Sequence, residues 1–170
     1  MPLTSSPLIL TLKLDPVSFN ALDSLRQQHF PAERNFLPAH ITLFHKLPVE
    51  QLAGIRQALQ ELCSQTSGLH LLFPALRFLG RGVAVEVDCP ELIRLRKQLA
   101  QKWWLWLSTQ DQQGYRPHVT IQNKVSSDEA RRLHNQLAKE WEPFSGSGAG
   151  LLLWRYEGGP WKLVEEFNFE

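Results

Sequence analysis

One short phrase occurs twice in this chain, and it constrains the fold more than any other feature of the sequence. Residues 38–43 read PAHITL and residues 117–121 read PHVTI, so each copy has a threonine two residues after a histidine. Of the six histidines, only His40 and His118 have this setting. Residues two apart on an extended strand project from the same face. The chain is therefore predicted to have two strands that each present an imidazole beside a hydroxyl.

The order of predicted elements around the two phrases also repeats. Each half of the chain predicts strand, helix, histidine strand, helix and strand, from the spacing of its apolar residues. The two histidines are separated by nearly half the chain, and no long linker divides the halves. Internal duplication explains this pattern better than two unrelated domains. We therefore expect one domain over residues 1–170, made of two closely packed lobes that each contribute one histidine strand.

This duplication predicts a fold of the α+β class. Two small, mainly antiparallel sheets would be flanked by helices around a central cleft, with pseudo-twofold symmetry. The histidine strands are predicted over residues 38–44 and 116–122. Residues 69–79 are predicted to form one edge-like strand that a proline interrupts. Residues 145–148, SGSG, have the composition of a loop, and residues 151–169 predict a closing hairpin.

Charge, cysteine content and hydropathy limit the class of protein. The 18 basic and 17 acidic residues give a net charge of +1, which argues against a broad cationic surface for long duplexes. The two cysteines, Cys63 and Cys89, cannot form a disulfide framework or a four-cysteine metal site, and we expect buried, reduced thiols. The N-terminal segment has no basic leader, and no apolar run is long enough to span a bilayer. These features predict a cytoplasmic protein with no membrane partner.

The two histidine–threonine pairs suit chemistry on a phosphate. Cleavage of a phosphodiester by water requires the water to lose a proton as it attacks phosphorus, and the departing oxygen to gain one. An imidazole with an unperturbed pKa of about 6.5 supplies both the base and the acid near neutral pH. Threonine hydroxyls can donate to the non-bridging oxygens without placing a charge in the site. The pattern predicts catalysis by paired histidines with a bell-shaped rate profile near neutrality.

The phrases HITLF and HVTIQ, each in the second strand of a duplicated half, resemble the two-histidine (2H) phosphoesterase superfamily. The similarity is greatest to its bacterial branch, the 2′-5′ RNA ligases or RNA 2′,3′-cyclic phosphodiesterases. The closing LLLWRYEGGPWKLVEEFNF and the hairpin over 76–88 also resemble that family. The resemblance implies that His40 and His118 are catalytic, that Thr42 and Thr120 bind phosphate, and that catalysis is metal-independent.

The predicted activity is the opening of ribose 2′,3′-cyclic phosphates to 2′-phosphates, with 2′-5′ ligation as the reverse reaction. The expected substrate is a small nucleotide or an RNA end. We expect no cofactor and no metal, and we expect the protein to act as a monomer. The near-symmetry of the two phrases does not assign the acid and the base.

Four further residues are candidates for contact with the substrate. Phe44 lies two residues beyond Thr42 and could stack a base in the same cleft, although a core position suits a phenylalanine equally well. Lys124 and Arg116 adjoin the second histidine strand and could attract phosphate, with a solvated charge at a strand end as the alternative for each. Tyr156, on the closing hairpin, could form a cleft wall, with structural packing as its alternative.

One departure from the family pattern lies directly after the first motif. Residues 44–46 read FHK, which is more polar than the apolar continuation of a plain strand. The family pattern therefore does not predict which residues line the substrate pocket on this side. His45 and Lys46 are cationic or titratable groups at this point of the chain.

Three alternative functions compete with this interpretation. A metal site is disfavoured, because neither phrase has a second ligand at a familiar spacing. A non-catalytic module that binds RNA ends or nucleotides would not require two titratable groups. A 2H enzyme that acts on a different cyclic phosphate or trims RNA 3′ ends keeps the chemistry, and the sequence does not distinguish it from the first interpretation.

Overall fold

A computed structural model defines the fold over residues 6–170. Residues 1–5, part of the segment in which we expect no leader, lie outside the described residues. The strands are β1 (Leu8–Leu14), β2 (Thr42–Leu47), β3 (Leu69–Phe73), β4 (Leu76–Phe78), β5 (Val83–Glu86), β6 (His118–Gln122), β7 (Phe144–Tyr156) and β8 (Trp161–Asn168). The helices are α1 (Pro16–His29), α2 (Leu52–Ser64), α3 (Pro90–Trp103) and α4 (Ser127–Glu140).

Two antiparallel sheets contain these strands, which confirms the predicted α+β class. The five-stranded sheet has the order β2-β1-β7-β3, with β8 also paired to β7, and the three-stranded sheet has the order β4-β5-β6. A bridge between Leu72 and Asp88 connects the two sheets. The two strands of the histidine motifs, β2 and β6, therefore lie in different sheets.

The helices cover the sheets in a crossed arrangement. Helix α1 packs on β6, which belongs to the other half of the chain, whereas α4 packs on β4 and β5. Helix α2 packs on β7 and β8. The start of α1 is fixed by Asp15, whose carboxylate accepts a hydrogen bond from the Ser18 amide, and by Pro16 in the first turn. Buried apolar residues of both sheets and the helices form one continuous core.

The sheets do not correspond to the two halves of the sequence. Strands β7 and β8 come from the second half, but they pair with the sheet that contains β1 and β2. The predicted single strand over 69–79 is likewise wrong, because β3 and β4 belong to different sheets. Pro74 has no amide hydrogen for a ladder, and the chain changes sheets at this residue.

The expected loop over residues 145–148 is also wrong, because these residues belong to β7. Helix α1 and its cap pack directly against this part of the strand. The Ser147 amide donates to the Asp15 carboxylate at 2.8 Å, and a Cβ on Gly146 would lie 2.0 Å from the Ser18 hydroxyl oxygen. Small residues here therefore let a helix approach a strand rather than form a turn.

Two sequence expectations about environment can be compared with the described residues. Cys63 and Cys89 are both buried and free, and burial raises the pKa of the Cys63 thiol to about 12. No helix within residues 6–170 has both the length and the apolar character needed to cross a bilayer.

Candidate active site

The two histidine–threonine pairs line one cavity between the sheets, with a volume of about 310 Å³. His40 comes from the segment just before β2, Thr42 is the first residue of β2, and His118 and Thr120 come from β6. All four side chains are half-buried. Residues that are nearly half the chain apart in sequence therefore meet around a single small volume.

The first histidine lies just before its strand rather than within it. Strand β2 begins at Thr42, so the predicted strand over residues 38–44 starts too early, whereas β6 begins at His118 itself. The Leu12 amide still donates to the Ile41 carbonyl at 3.0 Å and holds this segment against β1. The position of His40 is thus set by the segment just before β2, which is hydrogen-bonded to β1.

Both imidazoles are held by the same local hydrogen bond. The Nδ1 of His40 lies 2.8 Å from the Pro38 carbonyl, and the Nδ1 of His118 lies 2.9 Å from the Arg116 carbonyl. A carbonyl accepts only, so Nδ1 carries the proton in each ring. Each Nε2 is then free to accept a proton when the ring is neutral, or to donate one when the ring is charged.

Burial lowers the pKa of His40 from 6.5 to about 4. The hydrogen bond to the Pro38 carbonyl opposes this change, whereas the positive charges of Arg26, His45 and His118 add to it. A low pKa makes His40 neutral, and so a proton acceptor, over most of the physiological range.

The pKa of His118 is also lowered from 6.5, again mainly by burial. The Arg116 carbonyl raises it, Arg77 and His45 lower it, and the carboxylate of Glu86 raises it. The two lowered pKa values therefore favour neutral imidazoles at both positions near pH 7.

A β-bulge follows the threonine in both motifs. Thr11 of β1 pairs with Thr42, but the next residue, Leu10, pairs with Phe44, so β2 has one extra residue. The same irregularity occurs between β5 and β6, where Ala84 and Val83 pair with Thr120 and Gln122. A bulge reverses the alternation of side chains beyond it. The residues two beyond each threonine therefore face the core instead of the cleft.

This bulge decides where Phe44 lies. Its side chain is fully buried, its ring packs edge-on against Trp103 at 5.3 Å, and the Arg96 guanidinium lies 4.2 Å from its centre. Phe44 does not line the cavity that contains His40. Of the two expectations for this residue, the structure agrees with the core position, and the next residue, His45, lines the cavity instead.

The other candidates for substrate contact differ in position. Arg116 lines the cavity with its side chain largely exposed. Lys124 is exposed in a turn with φ of 64° and does not line the cavity. Tyr156 lies at the outer end of β7, paired with Trp161, and also does not line it. The structure thus brings together the two pairs and Arg116, and leaves Phe44, Lys124 and Tyr156 outside.

Two buried arginines connect each motif strand to the helix of the opposite half. Arg26 of α1 donates to the Thr120 carbonyl at 2.9 Å, and Arg96 of α3 donates to the Leu43 carbonyl at 3.0 Å. Both residues are nearly inaccessible to solvent. This crossed pair of hydrogen bonds attaches each motif strand to a helix from the other half of the chain.

The loop after α3 forms one wall of the cavity, and a buried carboxylate anchors it. Asp111 is 1% exposed and accepts hydrogen bonds from the backbone amides of His45 and Lys46, at 2.9 Å each. Its own carbonyl accepts from Arg96 at 2.7 Å. Burial raises the pKa of Asp111, but the hydrogen bonds and charge of His45 and the Lys46 amide outweigh it and hold the pKa below 3.8. Asp111 is therefore ionised.

Replacing Asp111 by alanine should lower the free energy of unfolding by about 2–4 kcal/mol, because two amides would be left buried without an acceptor. Urea denaturation at neutral pH measures this difference. The folded state has the lower carboxyl pKa, so this contribution is present above pH 3.8 and is lost as the pH falls through the folded-state value. An unchanged unfolding midpoint in D111A would contradict this account of the loop.

Aromatic and charged residues complete the two ends of the cavity. Beside His40, the Trp161 ring lies edge-on with centroids 4.9 Å apart. Beside His118, Arg77 Nη1 lies 3.4 Å from Nδ1 of the ring. Glu86 accepts hydrogen bonds from both Arg77 and Arg116, each at 2.8 Å. The carboxylate of Glu86 is therefore used by these two arginines.

Sequence reasoning did not identify several cavity residues. These are Arg77, Arg96, Asp111, Tyr115 and Trp161. Each lies outside the duplicated phrases, and none has a partner at a recognisable spacing. The one available signal was the polar residue His45 after the first motif. Within residues 6–170, no three His, Cys, Asp or Glu side chains are grouped in a way that could hold a metal ion.

Comparisons with known proteins agree with this architecture. The fold is similar to that of TT0787 of Thermus thermophilus, with a TM-score of 0.70 and 17% identity over 96% of this chain and 97% of that one. It is also similar to E. coli LigT complexed with 3′-AMP, with a TM-score of 0.63 and 18% identity over 96% and 98% of the two chains. Usb1 of Kluyveromyces marxianus gives a TM-score of 0.55 and 14% identity over 99% and 100%.

These structural likenesses establish the fold, since the identities are low. No curated protein sequence matches the chain. A family model described as the 2′-5′ RNA ligase superfamily matches residues 14–160, which is most of the chain. The resemblance carried by the two phrases is thereby confirmed, and the chain belongs to the 2′-5′ RNA ligase superfamily of 2H phosphoesterases.

Proposed function

We propose that the protein is a metal-independent phosphodiesterase that opens ribose 2′,3′-cyclic phosphates to 2′-phosphates, with His40 and His118 as the general base and general acid. The observation that carries this proposal is the convergence of both histidine–threonine pairs on one cavity of about 310 Å³. Two titratable groups with free Nε2 atoms on opposite sheets can act on the two opposite bonds of one phosphorus centre.

In the proposed reaction, Nε2 of the neutral imidazole takes a proton from water while the water oxygen bonds to phosphorus. The bond from phosphorus to the 3′-oxygen breaks, and Nε2–H of the other, charged imidazole gives its proton to that oxygen. The products are a 2′-phosphate and a 3′-hydroxyl, and the two histidines exchange protonation states. Proton exchange with solvent restores the starting state. The same sequence in the same direction, with a ribose 5′-hydroxyl in place of water as the nucleophile, breaks the bond from phosphorus to the 3′-oxygen and forms a 2′-5′ link.

The lower pKa of His40 favours it as the base, and the carboxylate of Glu86 favours His118 as the acid. Thr42 and Thr120 supply hydroxyl donors for the non-bridging oxygens, where negative charge grows in the transition state. A β-branched side chain has few rotamers, so each hydroxyl stays in place on its strand. The protein thus provides donors and proton carriers from its own side chains.

A nucleotide is the substrate class best supported. E. coli LigT, 16–18% identical to this chain, has been solved with 3′-AMP, with NADP+, with phosphate and with ATP. In this chain the Trp161 ring beside His40 offers an apolar face near the phosphate position. The test is a panel of nucleoside 2′,3′-cyclic phosphates, 2′-5′-linked dinucleotides and oligoribonucleotide ends, each assayed with and without a chelator. Binding of these ligands without turnover would favour the non-catalytic alternative.

The pH profile of kcat/KM provides a further prediction. The active free enzyme carries one proton on the histidine pair, so both fully protonated and fully neutral pairs are inactive. With His40 at about 4 and His118 below 6.5, we expect kcat/KM to be highest between these values and to fall toward pH 8. Initial rates at low substrate concentration from pH 4 to 9 measure this. A constant kcat/KM from pH 6 to 9 would contradict paired imidazole catalysis.

A further inference from the structure

A third imidazole lies in the cavity that holds the two histidine–threonine pairs. His45 lines that cavity, and its side chain is 47% exposed. The bulge after Thr42 turns this residue to the cleft, in the place where Phe44 was expected. His45 has no part in the reaction described above, so its presence in the cavity requires a separate explanation.

The orientation of His45 is fixed by a buried carboxylate. Its Nδ1 lies 3.2 Å from Oδ1 of Asp111, which also accepts from the His45 backbone amide at 2.9 Å. The carboxylate accepts a hydrogen bond from Nδ1, which holds the ring with Nε2 on its other side. No described residue forms a hydrogen bond with Nε2 of His45. In the protonated form of the ring, Nε2–H can donate a hydrogen bond to an anion that enters the cavity.

The other cations in the cavity wall already have acceptors. Arg77 and Arg116 both donate to Glu86. Arg96 donates to the carbonyls of Leu43 and Asp111, with its guanidinium beside two aromatic rings. The carboxylate of Asp111, which also lines the cavity, accepts hydrogen bonds from the His45 and Lys46 amides of β2. His45 also has a carboxylate partner at Nδ1, but its Nε2 has no partner among the described residues and remains available to a ligand.

We infer that His45, supported by Asp111, forms a second anion subsite that binds a phosphate group of the substrate other than the one opened at His40 and His118. This inference rests on the proposed function and names its substrate class: nucleotides that carry an additional phosphate beyond the cyclic one. That group is either a terminal 5′-phosphate or the neighbouring phosphodiester of an RNA end, and both present the same oxygens to Nε2.

Product analogues test this inference by binding alone, so the result does not depend on turnover. Adenosine 2′,5′-bisphosphate has the additional phosphate, 2′-AMP lacks it, and an adenylyl-adenosine dinucleotide with a terminal 2′-phosphate has the phosphodiester. Calorimetry at pH 6 compares the three ligands in the wild type, His45→Gln and His45→Arg. At least one of the two ligands with an additional phosphate, the one whose phosphate reaches the subsite, should bind H45Q about five- to tenfold more weakly than it binds the wild type. The affinity for 2′-AMP should change less than twofold.

The matched control is Lys46→Gln. Lys46 is the next residue, its amide also donates to Asp111, and its side chain lies outside this cavity. K46Q should leave all three affinities unchanged, and H45R should keep the preference for the additional phosphate. Equal weakening of all three ligands in H45Q, or no weakening of any, would overturn the inference. If the wild type did not turn over any cyclic phosphate but still bound the ligands with the additional phosphate more tightly than 2′-AMP, the proposed function would be refuted and the subsite would stand.

Discussion

Replacing either His40 or His118 by asparagine should reduce kcat on a nucleoside 2′,3′-cyclic phosphate by about 10³-fold, because each variant removes one of the two proton carriers. Asparagine keeps an N–H group close to the position of Nδ1, so the hydrogen bond to the carbonyl two residues earlier can persist. It has no equivalent of Nε2. The loss should therefore appear in kcat without loss of the folded state.

The double variant provides a stricter test of the same prediction. Two groups that act in one step are not additive, so H40N with H118N should be little slower than either single variant. His70, exposed on β3 and outside the cavity, is the matched control, and H70N should keep wild-type rates. Wild-type turnover in H40N or in H118N would refute the assignment of that residue.

Replacing Thr42 or Thr120 by valine should reduce kcat/KM by about 10²-fold, since each change removes one hydroxyl donor for the phosphate oxygens. Valine has the same branching as threonine and is favoured in strands, so β2 and β6 should be unaffected. Steady-state rates on the same cyclic phosphate measure the effect.

Serine separates the role of the hydroxyl from that of the side-chain shape. T42S and T120S keep the donor and lose a methyl group, so their kcat/KM should stay within about tenfold of the wild type. If each serine variant were as slow as the matching valine variant, the methyl group and its packing would be responsible, and a phosphate-binding hydroxyl would be the wrong account.

Much of this fold can be predicted from local patterns in the sequence. The segments Asp15-Pro16 and Ser126 to Glu129 are typical of helix starts, and both begin a helix whose first turn is capped by a side-chain oxygen. The predicted closing hairpin is confirmed as β7 and β8, and Pro90, a residue typical of a first helical turn, begins α3. These features depend on contacts within a few residues, and such contacts can be predicted from the local sequence.

Features that depend on distant contacts were less predictable. The SGSG segment forms a strand because α1 packs on it, and composition alone indicates a turn. Phe44 is buried because β2 contains a bulge, which a strict two-residue alternation does not reveal. The position of Asp111 depends on two amides 65 and 66 residues earlier in the chain. The residues of the cavity wall likewise come together through contacts between distant parts of the chain, whereas each histidine–threonine phrase is visible within a few consecutive residues.

The central claim is that His40 and His118 act on the same phosphorus atom from opposite sides. A crystal structure with a uridine–vanadate complex, which imitates the five-coordinate phosphorus of the transition state, tests it most directly. The account predicts that Nε2 of each histidine lies about 2.6–3.2 Å from a different apical oxygen of the vanadate. Vanadate bound by only one imidazole, or held elsewhere in the chain, would contradict it.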